Sequence, residues 1–410
     1  MIINDPVHGF IEIGDGLATW LVKHPVVFRL TRIRQLGPSY YVYPGGHHTR
    51  FEHSIGAHYL ACKAVETLRA KGNYISDEEA EGVEMAMLLH DIGHGPMSHA
   101  LEGVLVSGVS HEEISLMLMQ RLNAESGGKL DLAISIFKDE YPRRFLHELI
   151  QSQLDMDRMD YLCRDSFFTG VREGNIGAAR IIKMLNVKDD KLVVEWKGVY
   201  TIENYLMSRR LMYWQVYLHK TVIAAQTLLC NALRRAKQLA LRGEEIAASP
   251  ALAYFLQHEV DDAFVKAHTE WLDAFVALDD SDVVCAMKQW RHHPDKVLST
   301  LADDYINRNL YKVAETQQPV KAEQMAQMRS QMAQIMGISP EEARYFVMEE
   351  EVNQVLYSTK DDHILILFKN GTVHDISESS ELLESEMVDK VCRRRFLFYQ
   401  RTNGLFKPQT

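Results

Sequence analysis

Residues His90 to His99 read HDIGHGPMSH, and the rest of the chain is best interpreted outward from these ten positions. The apolar stretch Met85 to Leu89 (MAMLL) has helical character and ends on the vicinal pair His90-Asp91. Gly93, Gly95 and Pro96 follow and stop the helix, so that His94 and His99 can turn back toward the same point. An imidazole beside a carboxylate offers a borderline metal one nitrogen and one oxygen from a single short segment. A lone His-Asp dipeptide is more often an ordinary loop, so the metal reading depends on ligands supplied elsewhere.

Two further segments supply them. Upstream, HHTRFEHS places His53 three residues after Arg50; downstream, LDMDRMDYLCRD carries Asp155, Asp157, Asp160 and Asp165. A His, a His-Asp pair and an Asp give two imidazoles and two carboxylates with no thiolate. That donor set suits one tightly bound divalent ion (Fe, Mn, Zn or Ni) and leaves positions for water. On a helix Asp157, Asp160 and Tyr161 share a face that Asp155 does not, which excludes Asp155 but leaves Asp157 and Asp160 open.

Helical periodicity dominates the chain. Segments 17–36, 54–71, 77–91, 110–123, 143–163, 202–242, 250–277, 281–290 and 295–311 place apolar residues at helical spacing with few internal Gly or Pro. The run NVKDDKLVVEW interrupts them as a hairpin turning at Asp189-Asp190. From residue 312 the character changes to a Met- and Gln-rich helical stretch, then ISPEEARYFV with Ser339 as a helix cap. HILILFKNGTVHDIS follows, a hairpin at Asn370-Gly371, and RRRFLFYQR closes as a strand. The expectation is a mainly α protein, with a multi-helix portion at 1–311 and a smaller α+β lobe at 312–410. The Met-rich stripe reads as helical core or dimer packing rather than a promiscuous surface.

With 410 residues the chain can bury a sizeable core. Five singly scattered cysteines (Cys62, Cys163, Cys230, Cys285, Cys392) point to reduced thiols rather than disulfides or a zinc knuckle. No apolar run is long enough to cross a bilayer, and MIINDPVHGF lacks a signal pattern, so a cytoplasmic location is expected. A net charge of −11 argues against nucleic acid as a partner and requires phosphate-binding charge to be concentrated locally.

The order His…His-Asp…Asp resembles the HD superfamily of metal-dependent phosphohydrolases. DPVHGFIEI (5–13), RQLGPSYYVYPGGHHTRFEHSIG (34–56), HDIGHGPMSH and DMDRMDYLCRD (155–165), followed by Tyr217-Leu218-His219-Lys220, are similar to its dNTP triphosphohydrolase branch. The similarity covers roughly residues 1 to 235. It implies a multi-helix HD-domain core and selects His53, His90, Asp91 and Asp157 as the metal ligands. It also implies hydrolysis of dGTP and other dNTPs to deoxynucleoside and inorganic triphosphate by attack of a metal-activated water at the α-phosphorus, with Mg or Mn accompanying the triphosphate. Self-association to a homodimer or higher homo-oligomer is a further implication.

Other residues take their expected roles from the same resemblance. His111 matches the family's catalytic histidine, and Glu102 stands where that family has an aspartate partner. A carboxylate there would raise the imidazole's pKa and favour its proton-donating form. Asp91 belongs to this catalytic group as well as to the ligand set; His94 supports it, and His99 is a phosphate-contacting group. Arg50 and Arg158 adjoin ligand segments and are expected at the triphosphate in forked geometry, with Arg209 and Lys220 as weaker candidates. Gln35 and Leu36 match residues around the deoxyribose; Tyr161 and Asp165 match groups near the 3′-hydroxyl; Tyr217 matches an aromatic wall under the sugar.

The chain departs from the branch in two places. Tyr213 and Leu218 stand where a His and a Gln lie near sugar and base, which leaves base preference open. Lys23, Phe28 and Thr31 replace an Asp, a Gln and an Arg that read guanine nucleotides in a vertebrate member, so activation by GTP in that manner is not expected. Two alternatives carry weight: an HD phosphohydrolase of another nucleotide (a monophosphate, a cyclic dinucleotide or ppGpp), and a non-catalytic nucleotide sensor.

Overall fold

The structure, a computed structural model, describes residues 1–98, 102–355, 357, 363–380 and 391–402. His99 therefore lies outside the described residues. The protein is mainly α-helical, with a smaller α+β region toward the C-terminus. Its central helices are Arg50–Ala70, Asp77–Leu89, His111–Ser126, Met156–Thr169, Val199–Met212 and Lys220–Leu241. They pack around one apolar cluster that reaches from Ile11 to Phe398.

Start signals are explicit. Thr49, Ser76 and Ser110 each accept a backbone N–H from a glutamate three residues on, whose carboxylate bonds back to the cap. Each such capping box answers two otherwise orphaned donors and fixes where the helix begins. Small residues set how closely the helices approach. A Cβ at Gly56 would stand 2.0 Å from Asp160 Oδ1, so only glycine lets the Arg50–Ala70 helix lie against Met156–Thr169. A Cβ at Gly93 would fall 2.1 Å from the His111 carbonyl, which seats the His-Asp loop on the start of His111–Ser126.

Four long helical segments expected from periodicity are broken. Segment 17–36 divides into Leu17–Lys23, Pro25–Phe28 and a 3-10 turn Arg29–Arg32, because Pro25 suits only a first turn. Segment 143–163 stops at Glu148 and restarts at Met156 under an Asp155 cap. Segment 202–242 divides at a π turn, Tyr213–Tyr217, after which His219 caps a new helix. Segment 250–277 is three short helices, the second capped by Asp261 and the third beginning at Glu270. Most of these breaks lie at capping side chains, to which an apolar period is blind.

The hairpin at 185–195 forms as expected, with Asp189 and Asp190 at φ 50° and 59°, the left-handed pair of a tight hairpin turn. The Asn370-Gly371 turn joins Leu365–Leu367 to Val373–Asp375, with Gly371 at φ 85°. Val391–Tyr399 is the central strand of a three-stranded sheet with Lys312–Thr316 and Val347–Val355. Ser339 Oγ accepts the Glu342 N–H at 3.2 Å, but the element that follows is a 3-10 turn, Glu342–Tyr345, with Glu341 at its cap position, rather than an α-helix. The composition change at residue 312 marks a strand, yet the two portions share a sheet: Leu365–Leu367 pairs in parallel with Lys191–Glu195.

Candidate metal and phosphate centre

Three helix termini bring the predicted ligands together. The Thr49 cap puts His53 one turn inside the Arg50–Ala70 helix, pointing into the interior with no exposure. The Asp77–Leu89 helix ends directly at His90 and Asp91, both buried. Asp155 caps the Met156–Thr169 helix, accepting the Arg158 N–H at 2.7 Å, so its carboxylate is engaged and Asp157 in the first turn faces the histidines.

The candidate ligand atoms converge. His53 Nε2 stands 3.1 Å from Asp157 Oδ1, 3.5 Å from Asp91 Oδ2 and 3.3 Å from His90 Nε2. His90 Nε2 stands 3.5 Å from both Asp91 Oδ1 and Asp157 Oδ1. Donors each about 2.1 Å from one ion are separated by roughly 3–3.5 Å, so this spacing is what a common divalent ion requires.

The outward ring nitrogens give the same answer. His53 Nδ1 is 2.8 Å from Asp160 Oδ2, and His90 Nδ1 donates to the Met87 carbonyl at 2.6 Å. Protons held at both Nδ1 atoms leave two Nε2 lone pairs facing each other, an arrangement that calls for a cation between them. Burial lowers the His53 imidazole, but its hydrogen bonds to Asp157 and Asp160 outweigh it and raise its pKa to about 10, so that without an ion a proton on Nε2 takes the cation's place. Asp91 and Asp157 are driven below the ordinary carboxylate range despite burial, Asp91 by Arg50 and His90, Asp157 by His53 and His90. The cluster draws positive charge, and its His/Asp composition fits a metal site.

Asp160 is where spacing left two options, and the structure gives it a supporting place. It receives Arg164 Nε at 2.9 Å and lies 2.7 Å from His8 Nε2, while Arg164 donates to Asp5 at 2.7 Å. This fully buried network ties the N-terminal hairpin (Ile2–Asp5, Gly9–Glu12) to the back of His53. Asp160→Asn is expected to weaken metal retention by about 10–100-fold. Metal titration of the apo-protein, with a melting curve as fold control, checks this; unchanged affinity would remove Asp160 from the site.

Beside the cluster, His94 stacks on His111 with ring centroids 4.0 Å apart and places Nε2 3.3 Å from Asp91 Oδ1. His111 Nδ1 lies 2.5 Å from Glu102 Oε1. Burial lowers the His111 imidazole, and the Glu102 hydrogen bond and the Asp91 charge raise it above its ordinary value. Arg50 is buried and turned onto Asp91 and Ser98 Oγ, so it braces a candidate ligand rather than standing open. Arg158 engages Ser152 O and Asp155 through Nε alone. Among the described residues, the buried Arg209 Nη1 and Gln35 Oε1 have no hydrogen-bond partner.

On the far side Tyr217 donates to Asp165 Oδ2 at 2.7 Å, and the Tyr161 and Tyr217 rings meet edge to face at 6.0 Å. The π turn ends on Tyr217 and sets its place. Asp165 Oδ1 is also 2.7 Å from His48 Nε2, and His48 stacks on Phe168. His48, His8 and Arg164 escaped the sequence reasoning, although His48 sits inside HHTR and His8 inside DPVHGF. Arg29 also escaped it: fully buried, it donates to the Ile92 and His94 carbonyls and so holds the His-Asp loop. Leu36 packs against the core. Lys23 and Phe28 are exposed, Phe28 resting edge-on against Phe51, while Thr31 Oγ1 bonds to the Phe28 carbonyl.

This arrangement defines an HD-domain protein, and the chain belongs to the HD phosphohydrolase family. The HD domain matches residues 50–165 and the HD associated region residues 176–249. A crystal structure of a phosphohydrolase from Bacteroides thetaiotaomicron is 54% identical, with a TM-score of 0.95, over 98% of this chain and 100% of that one. An uncharacterised Bacillus subtilis protein, YwfO, is 31% identical over 94% of this chain and 88% of its own length. The human deoxynucleoside triphosphate triphosphohydrolase SAMHD1 is 28% identical over 66% of this chain, which spans about half of that enzyme (49%). Among the described residues no helix is long and apolar enough to cross a membrane.

Proposed function

We propose that the protein hydrolyses deoxynucleoside triphosphates, dGTP among them, to deoxynucleoside and inorganic triphosphate. The observation that carries this reading is the juxtaposition of the His53/His90/Asp91/Asp157 cluster with a paired His111–Glu102 and a tyrosine-carboxylate wall, Tyr217–Asp165. The overall similarity to the human deoxynucleoside triphosphate triphosphohydrolase, 28% identical over 66% of this chain, supports the substrate class.

His53, His90, Asp91 and Asp157 would hold a divalent ion, which would supply water acidification and polarisation of a phosphoryl oxygen. The protein's own residues do the rest. Arg158 and Arg209 offer N–H donors for the charge on the phosphate chain. His111, whose protonated form the Glu102 carboxylate favours, gives its proton to the departing 5′-oxygen as the bond from α-phosphorus to that oxygen breaks. The water's oxygen stays on the α-phosphorus and leaves as triphosphate. Gln35 and Leu36 face the deoxyribose, and Tyr217 and Tyr161 wall the sugar.

In ¹⁸O-labelled water with added Mn or Mg, the label is expected in triphosphate, with free deoxynucleoside as co-product by chromatography. Release of dNMP with pyrophosphate, or action only on a monophosphate, cyclic dinucleotide or ppGpp, would replace this reading. Binding without turnover would make the protein a sensor. Self-association is also proposed, because Ile2, Phe10 and Phe167 stand more than half exposed. Light scattering at micromolar protein is expected to give at least a dimer, and a monomer mass would overturn that.

A further inference from the structure

Away from the His/Asp cluster, a basin of about 750 Å³ opens between the end of the Lys220–Leu241 helix, the C-terminal region and the segment following Glu102. Its wall carries Arg234, Lys237 and Arg242 from the helix end, Arg329 from the Met-rich helix Ala322–Met336, and Arg344 with Tyr345 from the 3-10 turn. The chain as a whole is acidic at −11, so five cations around one concavity run against its average field.

Carboxylates in the same wall offset that charge only in part: burial raises the Glu350 carboxyl, with the Arg234 charge pulling it the other way. Glu259 serves Lys237 at 3.4 Å. Glu349 accepts from Thr316 Oγ1 and the Val320 N–H, and Glu350 accepts from Thr227 Oγ1. Three of the arginines make their direct contacts with neutral groups: Arg234 donates to Asn231 Oδ1 at 3.3 Å, Arg329 Nε donates to the Val347 carbonyl at 3.1 Å, and Arg344 lies over the Tyr345 ring at 5.3 Å. Burial and the neighbouring Arg344 together hold the Arg329 guanidinium below its ordinary value. Like charges gathered in a concavity are relieved by a bound anion. Val104, Leu241 and Met348 add apolar surface beside Tyr345, and the volume lies in the range of small-ligand pockets.

The opposite wall connects this basin to the chemistry. Gly103, Val104 and Ser107 line it, and Glu102, which holds His111, directly precedes them. The segment is pinned at its far end, where the Ser107 N–H donates to the Val260 carbonyl at 2.9 Å.

We propose that this basin is a second anion site, that it takes a polyphosphate-bearing small molecule of nucleotide size, and that its occupant steadies the segment from Glu102 to Ser107. The consequence for His111 rests on the hydrolytic reading above; the binding does not, since neither readout below involves turnover.

The test uses the full chain with His90→Ala and Asp91→Ala, which removes the candidate metal centre from the measurement. Calorimetric titration with ATP is expected to show binding that weakens with salt and falls by at least about tenfold when Arg329→Gln and Arg344→Gln are added, because two charge-assisted contacts are lost. The exposed pair Arg234→Gln and Arg242→Gln is expected to give a similar loss with an unchanged melting temperature. Inorganic tripolyphosphate binding as well as ATP would assign recognition to phosphate alone, and tighter ATP binding would add a ring contact; both sustain the site. ATP should also slow hydrogen exchange in residues 102–107, but not in the arginine variants. Absent ATP binding, or affinity indifferent to both pairs of substitutions, would overturn the site. Unchanged exchange in 102–107 would overturn the link to that segment.

Discussion

With His90 and Asp91 both replaced by Ala, the protein is expected to retain no metal by elemental analysis and no dNTP hydrolysis above background. The pair supplies two of the four converging donors, and both come from the same helix end. What remains, His53 and Asp157, is one imidazole and one carboxylate, too few to hold a divalent ion against water. The double substitution also strips the buried Arg50 of its Asp91 partner, a loss of about 3–5 kcal/mol for a buried ion pair broken on one side. His90→Gln keeps Asp91 and Arg50 paired, and should lose metal and turnover with a smaller fall in melting temperature. Full metal occupancy in either variant would remove these residues from the ligand set.

His111→Gln is expected to lower kcat by roughly 10²–10⁴-fold while metal content stays at the wild-type level, the range set by loss of a general acid. The ring stacks on His94, meets Glu102 and lies near Asp91, but it is not one of the four converging candidate ligands. Glutamine preserves a hydrogen-bonding group of similar reach and cannot deliver a proton at neutral pH. Glu102→Gln should cost less, because it removes the charge that favours imidazolium but leaves the imidazole in place. A His111→Gln enzyme with unchanged kcat, measured at saturating substrate, would assign the proton to another group.

Of the candidate ligands only the His90-Asp91 pair is marked locally in the sequence, by the helix end it stands on; the resemblance selects His53 and Asp157, whose capping side chains Thr49 and Asp155 emerge only in the structure. Spacing alone did not separate Asp157 from Asp160, since both lie on the inward face of one helix. The two are told apart by what stands behind Asp160: Arg164, one turn on in the same helix, and His8, which comes from the N-terminal hairpin far from the local pattern. Arg50 was expected to be open to phosphate, and its turn onto Asp91 depends on how two helices cross. The long helical segments were overextended for a related reason. Apolar period continues across Asp155, His219 and Asp261, while the side chains there redirect the backbone through their own hydrogen bonds. The parallel pairing of Leu365–Leu367 with Lys191–Glu195 joins segments about 170 residues apart, a distance at which no local propensity speaks.

The wiring of Asp5 and His8 into Asp160 makes the first dozen residues a thermodynamic partner of the metal. Whatever free energy the folded hairpin lends to the orientation of His53, the bound ion returns to the hairpin, since linkage between two such events is reciprocal. Removing residues 1–12 would leave Arg164 facing Asp160 with one carboxylate instead of two, and Asp160 without His8, deep in the interior. A protease given the metal-free protein should therefore find the N-terminus first, although the ligands themselves lie between residues 53 and 157.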